Sequence, residues 1–149
     1  MAGTVTRTDR TALLEAAGFT ILGEAEDASG VTPLAAIRAA ACASVVPRVR
    51  IELGDDDVER TERAWRETAR DACLFDEHGA CYLCITGPGA STLPWIHARL
   101  PERACFLPII RERTGTVEFV AVSPAGHPVV AVSEEEYEHW VVVTSAHDR

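Results

Sequence analysis

The spacing of apolar and polar positions changes several times along the chain, and each change predicts an element. Leu13 and Leu14 stand among alanines and are followed by Gly18, so residues 8–17 read as a short helix closed where a left-handed cap is cheap. Residues 19–22 form a short apolar run of strand type. An acidic, turn-rich stretch follows, and Pro33 then suits the first position of a helix that runs to Val46 and is stopped by Pro47. Residues 48–53 alternate strictly, which puts Val49, Ile51 and Leu53 on the buried face of a strand.

The longest periodic segment comes next. Asp55, Asp56 and Asp57 supply capping carboxylates, and Val58, Trp65, Ala69, Ala72 and Cys73 recur at helical spacing. Glu59 with Arg63, and Glu62 with Arg66, are set for i,i+4 ion pairs. Residues 80–86 read as a strand, so strand, helix and strand suggest a βαβ-like unit. Residues 87–92 are a loop rich in glycine and hydroxyls.

Residues 104–110 are apolar but carry Pro108, so a strand here belongs at an edge or a bulge. Residues 117–123 and 129–132 flank a Pro- and Gly-containing turn and predict a hairpin. Ser133 and Glu136 have capping-box spacing, which predicts a helix through Tyr137 and Trp140. Residues 141–143 either extend that helix or form an edge strand. The expected fold is a single α/β or α+β domain over 1–149, two-layered. It has a mixed sheet of about five strands, a C-terminal hairpin followed by a capped helix, and frayed tails at 1–8 and 144–149.

Composition narrows the function classes. With 149 residues, 47% hydrophobic and 25% charged, the chain buries a core without a disulfide or metal staple. Its 14 basic residues are all arginine, a usage that fits a GC-rich bacterial genome, and the formal charge is −9. That acidity argues against broad neutralisation of nucleic-acid phosphates. The charge is polarised: residues 52–77 hold ten acidic side chains against four arginines, whereas 93–113 hold four arginines against Glu102 and Glu112. The polar start resembles no secretory leader, and no apolar run reaches the length of a membrane span, so a cytoplasmic location is expected. Five cysteines in that setting read as thiols.

Three constellations carry candidate chemistry. Cys73, His78, Cys81 and Cys84 include metal-ligand types and a CxxC spacing. In a strand, however, Cys81 faces with Leu83 and Ile85 while Cys84 faces with Tyr82, so the pair cannot share an ion. No metal and no cofactor are therefore expected. The loop glycines Gly87 and Gly89 with Ser91 and Thr92 leave the carboxyl end of a strand, where open sheets tend to bind ligands, and Arg99 and Arg103 downstream suit an anionic small molecule. His97 is the candidate general acid or base, with Cys84 and Cys105 as candidate thiols. Trp95, Tyr137 and Trp140 are candidate interface anchors, and His127 and His139 read as surface residues.

Residues 117–137 resemble the hairpin and following helix of prevent-host-death type antitoxins. Gly126 and Pro128 match the turn, Ala131 and Val132 the second strand, and Ser133, Glu135 and Tyr137 the helix start. The resemblance implies a homodimer that contacts operator DNA and neutralises a toxin through a carboxy-terminal tail. Three readings follow. The leading one is a small regulatory or protein-interaction module, homo-oligomeric, that acts by binding another protein or itself. The second is a small accessory enzyme or ligand-binding protein for an anionic molecule, and the third is an antitoxin-like DNA-binding regulator.

Overall fold

The computed structural model describes residues 6–146, so the tail expectations for 1–5 and 147–149 lie outside the described residues. Helix α1 spans Arg7–Ala16, strand β1 Thr20–Ala25, helix α2 Pro33–Ala40 and strand β2 Val49–Glu52. Helix α3 spans Asp57–Asp71 and strand β3 Ala80–Ile85. A one-turn helix at Ala90–Thr92 leads into β4, Trp95–Arg99. Helix α4 spans Leu107–Thr114, and β5 (Phe119–Val122), β6 (Val129–Glu134) and β7 (Glu138–Thr144) complete the chain.

The strands form one seven-stranded sheet in the order β1-β4-β3-β5-β6-β7-β2, with every neighbouring pair antiparallel. This is α+β and not a mixed sheet of about five strands. The βαβ-like reading also gives way: β2 and β3 run in the same direction but are separated by β5, β6 and β7. The predicted second layer is present, with a partial third. One face packs under Leu14, Trp65 and Ile110, from α1, α3 and α4, and the other carries α2 through Ala36.

Thr6 and Asp9 form a reciprocal capping box, so Arg7 and Thr8 lie inside α1, while Thr144 is paired in β7. Helix α2 ends at Ala40, not Val46. Residues 104–110 are no edge strand, because Pro108 occupies the first turn of α4, where its missing N–H is harmless.

The largest correction is at residues 133–140. The hairpin there is not followed by a capped helix: β6 continues to Glu134 and β7 starts at Glu138. The Ser133 hydroxyl is held by the Glu135 carboxylate and does not cap a helix. Residues 139–143 have the period of a strand, with His139, Val141 and Val143 turned to the α3 face. A helix would instead have left this valine-rich run without its paired strands.

The α3 face holds the aromatic core. Trp65, Phe106 and Phe119 are fully buried, with Trp65–Phe119 and Trp65–Phe106 ring centroids 5.0 and 5.7 Å apart in edge-to-face geometry. The Trp65 indole N–H donates to Val130 O at 3.2 Å. The α2 face is thinner, built from Ala28, Val31, Ala36, Cys84, Trp95 and the inward side chains of β5 and β6.

Candidate functional site

Helix α3 carries Arg63, Arg66 and Arg70 at spacings of three and four, which places them on one stripe. The strip from Arg99 to Cys105, between β4 and α4, runs opposite. Two adjoining hollows of about 340 and 380 Å³ lie between these walls and share Arg66, Arg70 and Glu102. The first also holds Glu59, Glu62, Arg63, Arg103 and Cys105; the second adds Phe75, His78, Arg99, Leu100 and Pro101. The result is an open groove with five arginines against three glutamates, on a chain whose net charge is −9.

Glu62 builds this groove from below. It is 3% exposed, and its Oε1 accepts from the Phe106 and Leu107 amides at 2.9 and 2.8 Å. Helix α4 has no cap from its own Phe106 side chain, so a carboxylate from another helix satisfies its first amides and meets the positive end of its dipole. Glu62 Oε2 accepts from Arg66 Nε at 2.9 Å, the i,i+4 pair expected from the sequence. Arg66 Nη2 then donates to Pro101 O and Ala104 O at 3.0 and 3.1 Å, and its guanidinium lies over the Phe106 ring. Arg66 is thus a clamp on the opposite wall.

Arg63, Arg70 and Arg103 differ from Arg66. None has an ion-pair or hydrogen-bond partner among the described residues, and all three are exposed. The expected Glu59–Arg63 pair is not formed among the described residues, although both side chains line the groove. Arg99 is half committed, since its Nε donates to His78 O at 3.1 Å.

The turn before β3 joins this groove to a second feature. Asp76 Oδ1 accepts from the His78 and Ala80 amides at 2.8 and 3.0 Å, while Oδ2 faces His97 Nε2 at 3.4 Å. Burial raises the Asp76 carboxyl, but the bonds from Ala80, His78 and His97 outweigh it and hold the group below its usual range. The Tyr82 ring packs edge-on against His97 at 4.8 Å. His97, on strand β4, therefore has an imidazole oriented by Asp76 and Tyr82.

The loop candidates fall elsewhere. Gly87, Gly89, Ser91 and Thr92 lie before β4, whereas Arg99 closes that strand, about 13 Å further along at 3.3 Å per residue. Arg99 and Arg103 belong to the groove and are not brought to the loop. Gly89 has φ 80°, which explains the glycine, and Thr92 Oγ1 donates back to Gly89 O at 2.7 Å. Cys84 is buried, with its thiol pushed up to about 11 by burial against the lowering effect of Arg10, while Cys105 is exposed in the groove.

Cys81 packs with Leu83 and Ile85 and Cys84 with Tyr82, on opposite faces, as strand parity required. Among the described residues, no three His, Cys, Asp or Glu side chains gather as a metal site, and no helix is long and apolar enough to cross a membrane.

Of the interface candidates, Trp95 is a core residue: it is fully buried and donates to Val31 O at 2.8 Å. Trp140 is half-buried under Arg50 and donates to Glu138, and Tyr137 is 77% exposed in the β6–β7 turn. His127 is exposed as expected, but His139 is a correction at 2% exposure. Thr61 Oγ1 donates to Asp57 O at 2.7 Å, so it accepts from His139 Nδ1, 3.0 Å away.

Sequence reasoning missed Arg70 and took Arg63 and Arg66 only as partners for glutamates. The signal was their shared helical stripe. Comparison with known proteins finds no matching family model, no matching curated protein and no matching solved structure. None of these comparisons bears on the antitoxin resemblance, and the helix it implied at Ser133–Tyr137 is here the end of β6 and a turn.

Proposed function

We propose that this chain is an interaction module that takes up an acidic segment of a partner protein in the groove between α3 and residues 99–105. The observation that carries this reading is the state of Arg63, Arg70 and Arg103, which have no hydrogen-bond or ion-pair partner among the described residues and line one open channel. Guanidinium groups match carboxylates in bidentate geometry, and Phe75, Leu100 and Pro101 add apolar surface for neighbouring side chains. The groove is open along its length, whereas sites for small molecules enclose most of their ligand. That favours a chain segment as the occupant. The net charge of −9 disfavours acidic partners elsewhere on the surface, so the groove also selects the docking orientation.

The test uses a short fluorescein-labelled peptide rich in Asp, Glu and Leu, followed by anisotropy. Wild-type protein binds it, and binding weakens as salt rises from about 0.05 to 0.5 M. The double variant Arg70→Glu, Arg103→Glu loses at least about tenfold in affinity, equal to about 1.4 kcal/mol. Equal affinity of the two proteins overturns the proposal. Tripolyphosphate provides the second arm: if it binds and the peptide does not, the groove is an anionic small-molecule site, as the alternative sequence reading has it.

A further inference from the structure

The two edges of the sheet are built differently. Strand β1 carries a bulge between Ile21 and Gly23, a device that spoils pairing with another strand. Strand β2 forms the opposite edge, pairs only with β7 among the described residues, and keeps one register along its length. Of the five exposed large hydrophobic side chains among the described residues, three gather at this edge. Val46 precedes β2, Leu53 follows it, and Leu53 N donates to Tyr137 O at 3.3 Å.

The outer side of β2 follows from its inner side. Because Leu53 bonds Tyr137 and the register is constant, Val49, Ile51 and Leu53 direct their main-chain groups to β7. Arg50 and Glu52 therefore turn their amides and carbonyls outward, and both side chains are exposed. The Glu52 carbonyl also accepts from Arg60 Nη2 at 3.1 Å and keeps a second lone pair. Charge along the edge is unbalanced. Glu52 lies directly opposite Glu138, a like-charge pair, and Arg50 Nη1 is drawn to Glu138 Oε1 at 3.6 Å. The Glu52 carboxylate has no hydrogen-bond or ion-pair partner among the described residues.

A second copy of β2 laid antiparallel along this edge must set outward amides against outward carbonyls, and three registers do so. One places Arg50 against Arg50 of the second copy, and another places Glu52 against Glu52. The third places Arg50 against Glu52 in both directions. In that register Ile51 meets its own copy at the two-fold axis and Val49 covers Leu53, on the face opposite the charges. Charge and apolar pattern thus select the same alignment.

We propose that β2 is a homodimer interface, where two copies of the chain join edge to edge into one continuous antiparallel sheet through reciprocal Arg50–Glu52 pairs. This goes beyond the groove reading and does not depend on it. Sedimentation of the full chain from about 5 to 500 μM tests it: the mass is expected to rise from monomer toward dimer, since small interfaces bind weakly. Arg50→Glu leaves two glutamates on the edge and Glu52→Arg two arginines, and each variant alone is expected to associate at least about tenfold more weakly. Mixed together, the two variants present opposite edges and are expected to form a heterodimer of wild-type affinity. If either variant fails to fold, the doubly swapped chain, Arg50→Glu with Glu52→Arg, replaces the mixture and is expected to dimerise. A wild-type chain that stays monomeric overturns the proposal. So does a single variant that dimerises as the wild type does, or a mixture of folded variants, or a swapped chain, that does not associate.

Discussion

The groove beside α3 and the small cavity that Arg10 borders under the β3–β4 loop are both lined by arginine, yet the two regions use it in opposite ways. Beside the cavity, Arg10 is buried and its Nη2 is committed to a main-chain carbonyl, while its Nε is enclosed without a hydrogen-bond partner among the described residues. In the groove, commitment varies from one turn of helix to the next. Arg66 gives its donors to Glu62, Pro101 and Ala104, whereas Arg70, four residues on, has no partner among the described residues. Formal charge does not decide which arginine is available to a ligand. What decides is how many of its donors the fold has already consumed or enclosed.

The sharpest way to break this comparison is to remove the group that sets it up. Glu62→Ala leaves two buried amides of α4 without an acceptor and strips Arg66 of its counter-charge, and a loss of about 3–5 kcal/mol is expected in urea unfolding. Arg66→Ala keeps the α4 cap but removes charge-assisted bonds to Glu62 and the 101–104 strip, for about 1.5–3 kcal/mol. Arg70→Ala, one turn away, changes stability by no more than about 0.5 kcal/mol. Equal effects of the last two substitutions would erase the distinction between clamp and free cation.

A smaller effect concerns pH. Burial, the largest influence, lowers the pKa of His139 from 6.5, opposed by Asp57 and Glu134 and assisted by Arg111 and Arg60. The unfolded chain therefore takes up this proton first, and stability falls as pH drops through 6.5 toward the folded value. His139→Gln, followed by melting at several pH values, should flatten the profile in that window.

Much of this arrangement was readable in the residues. The i,i+4 spacing of Glu62 and Arg66 gave their ion pair, and the basic excess at 93–113 marked the segment that supplies Arg99 and Arg103 to the groove. What the sequence did not disclose was that the walls meet, because that follows from α4 packing on α3 across long separations, with Glu62 bonding Phe106 and Leu107. The same applies to His97 and Asp76, which are joined only by the register of β3 with β4. Residues 133–140 misled through local chemistry: a Ser and a Glu at capping spacing outweighed the alternation of His139, Val141 and Val143. Once that segment is a strand, parity alone turns His139 inward.

The most direct test of the central claim is amide chemical-shift mapping of the full chain, titrated with the acidic peptide. Perturbations concentrated at residues 63–70 and 99–105 are the predicted result. Perturbations confined to α2 and the 87–92 loop, or none at saturating peptide, would contradict it.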